Sequence, residues 1–184
     1  SPYYISSSSS SFKYSNHISL FTAAEFDKLE QLQAKYKSNI SKLNESEYKN
    51  ELERLAIDLS WKSSQIEGNT YSLLETELLL KEKETAAGKT REEATMLLNH
   101  KDAIDFIVAN QNYLSPISVS KIEDIHSLLV KELGIGRNLR KRRVGISGTN
   151  YRPLDNEFQI IEALENTCKL INSKTNTFEK SLLA

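Results

Sequence analysis

The chain has 184 residues, with 24 basic and 25 acidic side chains and a formal net charge of −1. That length suits one domain with a core of its own, and the near-neutral balance gives no global attraction to nucleic acid or to an anionic membrane. Charged residues at 27% beside hydrophobic residues at 39% argue against disorder over most of the length.

Residues 1–20 read as an extended, serine-rich arm, because the run Ser6 to Ser11 between Tyr4 and Phe12 neither propagates a helix nor alternates like a strand. From Thr22 the apolar spacing turns helical through Phe26, Leu29, Leu32 and Tyr36. A second helix is predicted from Asn44 or Ser46, with Leu52, Leu55, Ala56 and Leu59 as its buried stripe and Gly68 as its stop. Ser72 and Glu75 have the spacing of a capping box and open a third helix running toward Gly88. Thr90 and Glu93 repeat that spacing before Ala94, Leu97, Leu98, Ile104, Ile107 and Val108, which share one helical face.

Ser120 and Glu123 predict another box before Ile122, Ile125, Leu129 and Leu133, with Gly134 and Gly136 ending that helix. Then the period changes to two. Val144 and Ile146 alternate with Gly145 and Ser147 ahead of Gly148, Thr149 and Asn150, the pattern of a short strand entering a hairpin turn. Asp155 is expected to cap a last complete helix through Ile160, Leu164, Cys168 and Ile171, followed by a fresh apolar pattern at Phe178 to Leu183. The expected fold class is therefore all-α, a helical bundle with one short β-hairpin, and residues 21–184 form its single unit. With Ser1 in place of a methionine and an apolar pattern still open at Ala184, both ends read as cut.

A lone cysteine, Cys168, forbids an internal disulfide, and with neither a signal peptide nor a run of ~20 apolar residues the expected location is the cytoplasm. Its place on an apolar stripe marks Cys168 as a core thiol. His126 shares a stripe with Ile122, Ile125 and Leu129, and His100 sits in a well-patterned helix, so both read as packing residues and not as catalytic bases. Arg137, Arg140, Lys141, Arg142 and Arg143 form a basic run without interleaved aromatics, which reads as solvated surface before it reads as a nucleic-acid contact.

Helical phase places Glu67 at the edge of the stripe that Ser63 and Ile66 continue. A carboxylate there needs a donor partner or an open cleft. The plainer alternative is a solvated residue at a helix end, with Gly68-Asn69 as a stop signal.

Ser63-Ser-Gln-Ile-Glu67-Gly68-Asn69 resembles the inhibitory motif of self-inhibited Fic-family protein adenylyltransferases, in which this helix precedes the catalytic core. The resemblance continues through Thr70 to Leu80, Gly88 to Glu93, Asn99 to Ile104, Ile125 to Leu129 and Val144 to Pro153, and covers residues 50–184. It implies a Fic-like bundle and an enzyme that transfers AMP from ATP, with Mg²⁺, to a hydroxyl of a target protein. The family's His-Pro-Phe signature supplies the base, an acidic Mg²⁺ ligand and a phosphate-binding turn at a helix N-terminus. Its second arginine holds the γ-phosphate, and the inhibitory glutamate pairs with that arginine.

None of His17, His100 and His126 is followed by Pro-Phe, so the resemblance assigns no catalytic residue to this chain. It assigns Ser63, Glu67, Gly68 and Asn69 to inhibition. Ser147, Gly148, Thr149 and Asn150 match the flap beside the nucleotide, on which a target segment docks by strand addition. Without the family context those four residues are an ordinary hairpin turn. The implied partners are ATP and a target protein, with homodimers also allowed. The expected activity of this segment alone is nil; the alternatives are an antitoxin-like inhibitory module and removal of AMP by the same site.

Overall fold

In the computed structural model, residues 19–136, 139–140, 148, 150 and 152–184 are described. Among them every regular element is a helix, and the fold class is all-α. The order is α1 (Ala23–Ile40), α2 (Glu45–Ile66), α3 (Leu73–Glu82), α4 (Arg91–Ala109), α5 (Gln111–Leu114), α6 (Val119–Leu129), α7 (Glu157–Ser173) and α8 (Thr177–Leu183). Residues 1–18 of the serine-rich arm, and Val144, Gly145, Ile146, Ser147 and Thr149 of the expected hairpin, lie outside the described residues.

Local chemistry sets the starts of the first four helices. Thr22, Asn44, Ser72 and Thr90 each accept a bond from the third helical amide, while Glu25, Glu47, Glu75 and Glu93 reach back to the cap amide. These reciprocal boxes satisfy donors that a helix start leaves orphaned. Two later starts differ from expectation. Helix α6 begins after Ser118 with no side-chain cap and ends at Leu129, so neither the Ser120–Glu123 box nor the Gly134 stop applies. Helix α7 is capped by Asn156, whose side chain accepts from the amides of Phe158 and Gln159, and Asp155 lies one residue outside.

Helix α4 is the centre of the bundle: α2, α3 and α6 all pack on it, and α7 joins through α6. Tyr71, Leu79, Ala94 and Leu97 form the buried cluster where α3 and α4 meet, with Ala86 packed against it. Cys168 is buried with Ile160 and Ile171 on α7. Residues at the two ends of the described chain are joined by Glu179, which accepts from the Leu20 amide at 2.8 Å and lies 3.9 Å from the Lys174 ammonium.

The α2 stripe requires correction. Of its expected members Ala56 is buried and Leu52 half-buried, but Leu55 and Leu59 are 52% and 43% exposed and Ile66 is 85% exposed, whereas Ile57, Ser60 and Ser64 are buried. The buried face is rotated by about 100°, one residue's turn, from the leucine stripe. Small side chains let α2 approach α4 closely. Leu52 and Leu55 turn instead toward α1, where with Tyr36, Ile40, Leu43 and Tyr48 they line an open groove of about 490 Å³. On α4, Ala94, Leu97, Asn99 and Ala103 are buried, Asn99 with its Nδ2 donating to the Leu129 and Lys131 carbonyls, while Ile107 and Val108 stay exposed.

Candidate functional site: the turn that follows Glu67

Helix α2 ends in a Schellman turn. The Asn69 amide donates to the Ser64 carbonyl at 3.0 Å and the Gly68 amide to the Gln65 carbonyl at 3.0 Å. Between them Gly68 adopts φ +90, a backbone region that a residue without a Cβ enters freely. Glu67 is the cap residue, so the turn fixes where its backbone stands.

Its side chain is exposed and makes no hydrogen bond or ion pair among the described residues. Ser63 is half-buried; its neighbour Ser64 is the buried serine, with its Oγ 3.5 Å from the His100 Nδ1. That nitrogen is also 2.8 Å from the Met96 carbonyl, which can only accept, so Nδ1 carries the proton. His100 is thus a packing and positioning group. Half-buried His126 lies on α6.

Asn69 is buried although it follows the helix stop. Its Nδ2 donates to the Glu93 carbonyl at 2.8 Å and its Oδ1 accepts from the Tyr71 amide at 3.0 Å. Thr70 then donates twice to the Glu93 Oε1, from its amide at 2.8 Å and from its hydroxyl at 2.6 Å. The Lys89 ammonium donates to the Thr70 carbonyl at 2.6 Å, lies 3.7 Å from Glu75 and stands 5.6 Å above the Tyr71 ring. The Trp61 indole closes the other side, donating to the Tyr71 carbonyl at 2.9 Å. These bonds tie the α2–α3 turn to the first turn of α4. The Thr70 hydroxyl most of all, then the Thr90 and Thr70 amides, hold the Glu93 carboxyl down at about 2.

The arrangement presents one free carboxylate from a pinned helix end. Sequence reading found Glu67, Gly68 and Asn69 but missed Thr70, Lys89 and Trp61 as parts of the site, and read Glu93 only as a cap. No local pattern announces contacts between residues 23 apart. On the flap side, Gly148 has φ +76, and both it and Asn150 are exposed. No hydrogen bond joins either to the Glu67 turn among the described residues. Of the basic run, Arg140 donates to the Leu154 carbonyl, and the other four residues, Arg137, Lys141, Arg142 and Arg143, lie outside the described set.

Among the described residues no group of three or more His, Cys, Asp and Glu could hold a metal ion, and no helix is long and apolar enough to cross a membrane. Comparison of the chain with protein-family models, with curated proteins and with solved structures returned no significant match.

Proposed function

We propose that the chain is the regulatory portion of a Fic-type protein adenylyltransferase, in which Glu67 restrains transfer of AMP from ATP to a target hydroxyl. The observation that carries this reading is the Ser63 to Asn69 motif at the end of a helix whose last carboxylate is exposed, unpaired among the described residues and held on a pinned turn. Such a carboxylate is suited to meet an arginine from outside the described residues. Among the described residues no group of three or more His, Cys, Asp and Glu is placed to hold Mg²⁺. No step through ATP or metal is placed on this chain, and the flap at Ser147 to Asn150 rests on the resemblance alone.

The test uses the complete protein and labelled ATP. Glu67→Gly raises AMP transfer to protein under this reading, and equal labelling of wild type and variant removes Glu67 from regulation. Residues 1–184 alone give no labelling; transfer above background would mean that the chemistry lies within them. The free carboxylate also suits inhibition in trans, as in an antitoxin. Inhibition of a separate Fic enzyme by added chain, lost in Glu67→Gly, would favour that second reading.

A further inference from the structure

We propose that Glu93 is the positioning residue for Glu67, acting through Thr70 to fix the turn on which Glu67 stands. This rests on the regulatory reading of Glu67 and adds to it the place where inhibition is set and released.

The two oxygens of Glu93 have separate tasks. Oε2 accepts from the Thr90 amide at 2.9 Å and the Thr90 hydroxyl at 3.1 Å, which completes the capping box of α4. Oε1 accepts from the Thr70 amide and hydroxyl, and α4 needs neither bond to start. Among the four capping-box glutamates described, Glu93 accepts from the backbone amide and hydroxyl of a different turn, whereas Glu75 has only the Lys89 ammonium, at 3.7 Å, from outside its box. Its main chain serves the same end, since the Glu93 carbonyl receives the Asn69 side chain. Asn69 and Thr70 follow Glu67 by two and three residues, and the Schellman bonds leave the backbone between them little freedom. Releasing Oε1 therefore removes two of the bonds that hold the turn after α2 without touching Glu67. The hydroxyl of Thr70 and the carboxylate of Glu93 are exposed and half-exposed, so a partner could compete for them.

Glu93→Gln separates the two tasks, because glutamine still completes a capping box but offers one oxygen where two threonines now each hold their own. Thr70→Val removes the hydroxyl bond from the other side, together with the bond that hydroxyl accepts from the Lys89 ammonium at 3.1 Å. In both variants hydrogen exchange at the Asn69 and Thr70 amides is expected to quicken several-fold, while amides in the middle of α4 keep their protection. In the complete protein, Glu93→Gln is expected to raise AMP transfer with Glu67 intact, and to add nothing in a Glu67→Gly background. Mere structural damage would lower transfer. Unchanged exchange in Glu93→Gln overturns the clasp. Transfer raised by Glu67→Gly but not by Glu93→Gln overturns the positioning role and leaves the regulatory reading standing. No rise with Glu67→Gly overturns that reading, and the positioning role with it.

Discussion

The Ser64 hydroxyl lies 3.5 Å from the His100 Nδ1, so α2 and α4 come close enough at the C-terminal end of α2 for a serine to touch an imidazole. Such proximity needs small side chains. Ala56, Ser60 and Ser64 recur every fourth residue and place one small group per turn on the contact.

Replacing one of them by a large side chain should force the helices apart. Ser64 is fully buried, and Ser64→Leu is expected to cost about 1–3 kcal/mol, the usual range for overpacking. Leu55→Gln, on the half-exposed stripe, should stay within about 0.5 kcal/mol. Urea midpoints measure both. A larger loss at Leu55 than at Ser64 would restore the leucine stripe as the buried face.

What was legible follows from the range of each interaction. Capping boxes are contained within four residues, so Ser72–Glu75 and Thr90–Glu93 could be read directly, as could the Gly68 stop. The phase of α2 could not, because Leu52 and Leu55 do face apolar neighbours, but across an open groove and not in the core. The start of α6 was misread because Ser120 and Glu123 have the right spacing while the helix begins two residues earlier without a side-chain cap. At the site, Glu67 was visible as a motif, and its solvated position matches the plainer of the two readings of its helical phase. The Thr70–Glu93 clasp was hidden, since Glu93 already had a complete local explanation.

Gly68 offers a test of the turn itself. A Cβ built there meets nothing within 4 Å, so any cost of substitution comes from the backbone at φ +90 and not from crowding. Gly68→Ala is expected to destabilise by about 1–2 kcal/mol, the penalty for an L-residue in left-handed space. Gly68→Asn should lose less, because asparagine tolerates that region better. Chemical denaturation of the two variants gives the comparison. Equal losses would mean that side-chain contacts, and not backbone conformation, govern the position.

Asn69 should be the costliest polar position in the turn, being buried with its amide used in both directions. Asn69→Ala leaves the Tyr71 amide without its acceptor in a buried segment, at about 1–3 kcal/mol. Asn69→Asp keeps the acceptor for Tyr71 but turns a donor toward the Glu93 carbonyl into a second acceptor, so it should not rescue. Thermal melts of the pair decide this. Recovery by aspartate would show that only the Tyr71 bond matters.

The clasp also carries a pH signature. Hydrogen bonding from the Thr70 hydroxyl, then from the Thr90 and Thr70 amides, holds Glu93 at about 2 against an ordinary 4.5. A carboxylate depressed in the folded state contributes stability that is complete above its unfolded value and disappears as pH falls through its folded value. The contribution should therefore be full above pH 4.5, shrink below it, and be gone under about pH 2. Glu93→Gln does not titrate, so the melting-temperature gap between wild type and variant should be widest near neutrality and close across that window. Glu25 and Glu75, also held low by their own caps, are present in both proteins and cancel in the difference. A gap that stays constant from neutrality down to pH 2 would show that Glu93 holds Thr70 by shape alone, without its charge.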